Sequence, residues 1–276
     1  MVISVMFSDE AQQVLDIAGD FLASRPVINN VMLTLLQDRV AVPEPGCYWV
    51  ATDGDEIVGV VFQSPPGNPA LITPMAHGAV SPVVAAVAEA GGALPGVNGD
   101  PATAARFAGS WTERHGAGAR PVEGQRIYEV ERLVTPTGVS GAIRPAGPGD
   151  RDLLVAWLRA FDADVGGISA GDPSTMVERR LPGGHYWIWD DSGPVSMAAR
   201  TSPTCGVTRI QAVYTPPEHR RHGYAAACVA ALSGRVLEAG QRCILYTHLG
   251  NPTSNGVYRR LGYQAVAESL RYEFSS

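Results

Sequence analysis

One stretch of this chain occurs twice. Tyr48-Trp49 returns as Tyr186-Trp187, Asp53 as Asp191, and Ser64-Pro65 as Ser202-Pro203, each 138 residues further on. A single dipeptide would carry no weight, but three features in one register indicate duplication. Repetition constrains the fold strongly, because each copy must bury its apolar faces with the same set of elements. In each copy an apolar strand (Cys47–Ala51, His185–Trp189) reaches an acidic turn and continues as a second apolar strand, which reads as a hairpin.

Helical spacing precedes both hairpins. In the first copy Ser8 is placed to cap a helix burying Val14, Leu15, Ala18, Phe21 and Leu22. A second helix carries Ile28, Val31, Met32, Leu35 and Leu36 in phase. In the second copy Asp150 is the N-cap of a helix with Leu153, Leu154, Trp157, Leu158 and Phe161 on one face. The Pro/Gly-rich stretch from Thr135 to Gly149 reads as the boundary, giving domains 1–140 and 141–276. Arg126–Val134 reads as the last strand of the first domain and Ala142–Arg144 as the first of the second.

Beyond the hairpins the copies read as diverging. The first continues with a strand at Ala70–Thr73, a helix at Val80–Glu89, a loop at Leu94–Gly99 and a helix at Pro101–Arg114. The second continues with a strand at Val207–Tyr214, a loop and a helix at Arg221–Ala239. A strand at Cys243–Thr247, a helix opened by Asn251-Pro252 and two short C-terminal strands complete it.

Composition narrows the chemistry. All 21 basic residues are arginine, so no Schiff-base lysine, Walker A lysine or kinase strand lysine is available. Residues 1–140 hold 7 arginines against 15 acidic residues, a net −8, and residues 141–276 hold 14 against 12, a net +2. A polyanionic ligand therefore suits the second half. The acidic balance disfavours a nucleic-acid partner. The four cysteines lack metal-ligand or CxxC spacing and read as reduced thiols of a cytoplasmic protein with no metal site. No apolar run is long enough to span a membrane, and the N-terminus lacks a basic leader segment.

The segment with most chemistry is Val213-Tyr214-Thr215-Pro216-Pro217-Glu218-His219-Arg220-Arg221-His222-Gly223-Tyr224-Ala225-Ala226, between a strand and a helix. Arg220, Gly223 and Ala225 fit the pattern (R/Q)-x-x-G-x-(G/A). Such a loop presents unpaired helix N–H groups and the positive end of the helix dipole, which suits a pyrophosphate. Small residues at 223 and 225 admit phosphate oxygens, and Arg220 and Arg221 add charged donors. About thirty residues later come Asn251, Tyr258, Gly262 and Tyr263 in the form N-x(6)-Y-x(3)-G-(F/Y).

With these two motifs the chain resembles the GNAT superfamily of acyl-CoA-dependent N-acyltransferases. They cover roughly residues 205–265, and the repeated hairpin extends the likeness over the rest of 141–276. The arrangement is similar to a bacterial two-domain group with a degenerate first repeat. The resemblance implies an α/β (α+β) fold class: two tandem GNAT folds, each a mixed, mostly antiparallel sheet flanked by helices. It implies acetyl-CoA, or another acyl-CoA, as cosubstrate. The acceptor would be a small-molecule or peptide amine, and the protein a monomer or homodimer.

By the same resemblance, Val213 and Tyr214 would bind the acyl carbonyl and pantetheine on a strand splayed from its neighbour. Arg220, Arg221, His222, Gly223, Tyr224, Ala225 and Ala226 would hold the pyrophosphate, and Asn251 and Asn255 would contact the cofactor. Tyr258 stands where the family places the acid that protonates the departing thiolate. Two departures stand out: Arg221 where glycine is common, and His248 where an acidic residue is expected. His248 is a candidate base toward the amine. The stretch Thr73–Ala79 of the first copy has no arginine, so that copy is expected to bind no CoA and to be structural, to wall the acceptor site, or both. A non-catalytic CoA-binding or interaction module on the same fold is the alternative.

Overall fold

A computed structural model describes residues 2–91, 94–165 and 171–275. The chain packs into two compact units. One takes the chain up to Ile127, with Thr247–Gly250 and the segment from Val266 onward; the other takes Tyr128–Tyr246 and Asn251–Ala265.

In the first unit the elements are β1 (Ile3–Ser8), α1 (Ala11–Ala23), α2 (Asn30–Ala41), β2 (Cys47–Asp53), β3 (Glu56–Gln63), β4 (Ala70–Ile72), α3 (His77–Glu89), β5 (Gly96–Gly99), α4 (Pro101–His115) and most of β6 (Gly118–Val130). The chain continues with β7 (Ala142–Pro145), α5 (Arg151–Asp164), α6 (Pro173–Arg180), β8 (Tyr186–Asp190), β9 (Pro194–Arg200), β10 (Val207–Tyr214), α7 (Tyr224–Glu238), β11 (Arg242–His248), α8 (Pro252–Arg260) and β12 (Gln264–Ser275). Residues 3–130 and 142–275 thus repeat one order of strands and helices. The pairing repeats as well. Strands β1 to β4 follow one another antiparallel, and β4 pairs parallel with β5. Strands β7 to β10 do the same, with β10 parallel to β11.

In each unit the strands are covered on both faces. Side chains alternate along a strand, so Tyr48 and Val50 of β2 join Val14, Leu22 and Leu36 of α1 and α2, while Trp49 and Ala51 join Val83 of α3 and Phe107 of α4. The second unit repeats this: Tyr186 and Ile188 pack with Leu154 and Trp157 of α5, and Trp189 with Cys228 and Leu232 of α7.

The structure corrects several local expectations. Strand β1 precedes the first helix; Ser8 ends that strand, and its Oγ accepts from the Glu10 N–H at 3.0 Å without capping α1. Helix α2 begins at Asn30, after Ile28, and buries Met32, Leu33 and Leu36. Asp150 occupies the N-cap of α5, but its carboxylate accepts from the Gly147 N–H (2.8 Å) and from Arg144 (2.8 and 2.9 Å). Leu94–Gly99 contains β5, which pairs with β12. β6 starts at Gly118, and the C-terminus is one long strand. Gly and Pro hide β5 and the start of β6, and polar residues hide β12; the ladders of all three are set by neighbours distant in sequence. The copies keep their correspondence after the hairpins; what diverges is length and composition.

Candidate active site

In the second unit β10 pairs with β11 from Val207 opposite Arg242 to Ile210 opposite Leu245, then runs on to Tyr214. Against β9, Gln211 opposes Ala199 while Tyr214 opposes Met197, so three steps on β10 match two on its partner. The extra residue is a bulge, with Ala212 at φ +49°. A bulge ends regular pairing and re-aims the strand. The backbone of Ala212 and Val213 therefore leaves the ladder to β11, and Ser196 Oγ donates to the Tyr214 carbonyl at 3.0 Å.

Nine residues, 215–223, join β10 to α7. Arg221 adopts φ +67°, a left-handed conformation that a non-glycine residue takes at some cost, and Gly223 takes φ +86° without one. Helices α6 and α8 are capped by the side chains of Asp172 and Asn251, whereas α7 opens with no side-chain cap. Its first-turn N–H groups and dipole are presented at the end of this loop. Arg221, His222 and Gly223 are exposed; Ala225 and Ala226 are half-buried.

Arg220 lies at the surface and reaches toward α5. Its Nε donates to the Thr215 carbonyl at 3.0 Å, its Nη2 lies 2.6 Å from Asp164 Oδ2, and the guanidinium is 5.9 Å from the Tyr214 ring. It holds the loop to the end of α5. Tyr224 is also anchored: its hydroxyl donates to Asp191 Oδ2 at 2.6 Å, beside Ser140 Oγ on the same oxygen, and its ring stacks 5.6 Å from His222. The bonds from Ser140 and Tyr224 lower the Asp191 pKa, and the Asp191 carboxylate raises that of Tyr224.

The second motif runs from the N-cap of α8 to the turn after it. Asn251 Oδ1 accepts the Ser254 N–H at 2.9 Å. Buried Asn255 accepts from the Tyr128 hydroxyl (3.0 Å) and donates to the Asn251 carbonyl (2.7 Å), so its amide braces the helix. Gly262 takes φ +94° where a Cβ would strike the Arg132 carbonyl. The Tyr263 hydroxyl is held by Ser233 Oγ at 2.7 Å and Cys243 Sγ at 3.3 Å. Tyr258, 9% exposed, stands between the rings of Tyr128 and Tyr263, and burial pushes its pKa up to about 12.

His248 ends β11 and belongs with the first unit, where its Nε2 lies 3.3 Å from Glu123 Oε1. Glu123 is missed by a reading that starts β6 at Arg126; a longer strand was the only signal that could have included it. In the first copy the connection matching the phosphate loop is four residues, 73–76. The Met75 N–H is taken by Thr103 Oγ1 (3.1 Å) and its carbonyl by Arg106 Nη2 (3.2 Å). Among the described residues no cluster of three or more His, Cys, Asp or Glu could hold a metal, and no helix is long and apolar enough to cross a membrane.

Residues 190–272 match the family described as FR47-like protein. No curated protein matches the chain in sequence. Among solved structures, a GNAT-family acetyltransferase from Colwellia psychrerythraea superposes with a TM-score of 0.64 at 9% identity, covering 99% of this chain and all of the other. A GCN5-related N-acetyltransferase from Sphaerobacter thermophilus gives 0.63 at 14% identity, covering 97% and 94%. A tandem GNAT protein from the clavulanic acid biosynthesis pathway gives 0.57 at 13% identity, covering 98% of each chain. What this chain shares with these proteins, along almost its whole length, is the mixed, mostly antiparallel fold of the GNAT acetyltransferases.

Proposed function

We propose that the protein is an acyl-CoA-dependent N-acyltransferase, passing an acetyl group from acetyl-CoA to a primary amine by direct attack in a ternary complex. The observation that carries this reading is β10 parting from β11 at the Ala212 bulge and feeding an uncapped α7. That combination offers strand backbone to an extended amide-bearing chain and helix N–H groups to a pyrophosphate. In this reading 1–140 is a degenerate GNAT-like domain without a CoA loop, and 141–276 is the catalytic domain.

The residues divide the work. The main chain of Val213 and Tyr214 binds the thioester arm. Arg221, His222 and Gly223 to Ala226 surround the pyrophosphate, while Arg220 and Asn255, whose polar groups bond to neighbouring residues, shape the loop and helix. Asn251 lies at the exposed cap of α8 and supplies a rim contact. His248 accepts the amine proton. Tyr258 holds its proton strongly and gives it to the sulfur as the thiolate leaves.

The test is incubation with acetyl-CoA and a panel of amines while free thiol is followed. Thiol release matched by N-acetylated product supports the proposal. Thermal stabilisation by CoA with no turnover across the panel would favour a binding module.

A further inference from the structure

We infer that Asp191 is a positioning residue for the pyrophosphate loop: through the Tyr224 side chain it fixes the first residue of α7 without occupying the first N–H groups of that helix. This deepens the acyltransferase reading and rests on it. A helix that receives an anion has two conflicting needs. Its first turn must be held in place, yet a side-chain cap takes up the N–H groups that the anion uses. Helices α4, α6 and α8 are held by caps from Asp100, Asp172 and Asn251, whereas α7 has no such cap. It is held through Tyr224, whose hydroxyl donates to Asp191 Oδ2 at 2.6 Å, a charge-assisted bond. The rings of His219 and His222 lie 6.5 and 5.6 Å from the Tyr224 ring, so the same anchor orders the loop before the helix.

Asp191 itself stands on a braced turn. Its N–H donates to the Gly193 carbonyl at 2.8 Å, and the Gly193 N–H donates to Asp190 Oδ1 at 3.0 Å. Arg144 Nε donates to Asp190 Oδ2 at 3.0 Å. Ser140 Oγ gives Asp191 Oδ2 a second hydrogen bond at 2.6 Å, and the Ser140 carbonyl accepts from Trp189 Nε1 at 2.8 Å. Neighbouring Val139 packs at Gly223, where an added Cβ would come within 3.0 Å of its Cγ2. The hairpin turn, Val139-Ser140 and the head of α7 are thus joined by contacts that converge on one carboxylate oxygen. In the first copy the equivalent aspartate serves another purpose: Asp53 Oδ1 accepts the Val2 N–H at 3.0 Å, just before β1.

Charge and positioning predict opposite signs. A carboxylate near an anion site weakens binding by charge alone, so its removal should tighten CoA binding if charge were its only effect. If it positions the loop, its removal should loosen binding.

Calorimetry of CoA binding to the full chain separates the two. Asp191→Ala and Tyr224→Phe should each weaken CoA binding by about tenfold. The double variant should be little worse than either single, because both remove one contact. Asp191→Asn, which keeps an acceptor for the hydroxyl, should recover part of the loss. In turnover Asp191→Ala should raise the KM for acetyl-CoA by about tenfold and leave kcat within about twofold. Tyr224→Phe, the smaller change, carries the same test should the alanine variant unfold. Unchanged or tighter CoA binding in the single variants would overturn the proposal, as would additive losses in the double variant. A wild type that binds CoA but acylates no amine would overturn the acyltransferase reading and leave the binding test standing. A wild type that binds no CoA would overturn both.

Discussion

Tyr258 and Gly223 carry the sharpest consequences at the scale of single residues. On the proposed function Tyr258→Phe removes the acid and little else from a buried site, so kcat should fall by roughly 100-fold, with CoA affinity within about twofold by calorimetry. The raised phenol pKa sets two further expectations. Tyr258 should remain protonated across the alkaline working range, so activity should show no loss from its ionisation near pH 9. Its folded pKa of about 12 exceeds the ordinary value near 10, so its contribution to stability is complete below about pH 10 and is lost as pH climbs toward 12. Gly223→Ala imposes a left-handed conformation on an alanine whose Cβ would lie 3.0 Å from Val139 Cγ2. We expect a cost of about 1–2 kcal/mol by denaturant titration, together with weaker CoA binding. The sequence motifs identified the important positions at this scale but did not separate roles. Asn255 and Arg220 match a cofactor pattern by residue type, and each also bonds to neighbouring residues of the chain.

At the scale of elements, the bulge in β10 and the Asp150–Arg144 contact are the ones to test. Deleting Ala212 should restore the register of β10 with β9 and let its pairing with β11 continue, abolishing CoA binding while the protein stays folded by circular dichroism. Retained CoA affinity would show that the parted strands are not the binding feature. Asp150 receives hydrogen bonds from Arg144 and the Gly147 N–H, which hold its carboxyl below the usual range. Its stabilising effect is therefore present above the ordinary carboxyl pKa and lost as pH falls below about 4. Asp150→Ala should cost about 1 kcal/mol at neutral pH, allowing for solvent screening, and less at pH 3. Helices and hairpins were readable because periodicity of 3.6 and 2 is written locally. β5, the start of β6 and the unbroken β12 were not, because glycine-containing or polar strands acquire their state from partners far away in sequence.

At the scale of the whole molecule, the duplication predicts asymmetry. In the first copy the short connection 73–76 spends Met75's backbone groups on Thr103 and Arg106. Calorimetry should therefore find one CoA per chain. A second constraint concerns autonomy. Tyr272 and Phe274 of β12 pack into the core of the first unit, where Leu270–Glu273 pairs with β5. Residues 1–140 expressed alone lack that strand, so they should show no cooperative unfolding transition, whereas a chain containing β12 should. A sharp, stable transition for the fragment would refute this dependence.

Residue order alone carries the repeat, the binary pattern of its helices and hairpins, the absence of lysine chemistry, and the two motifs that point to a pyrophosphate loop and an acidic tyrosine. These are local properties, carried by spacing and residue type. Long-range packing sets where β10 parts from β11, that Arg220 pairs with Asp164, how the C-terminal strand completes the first unit, and that Glu123 meets His248. Each depends on atoms brought together across tens of residues or more, or on a single backbone angle, and neither is encoded in any window of neighbouring residues.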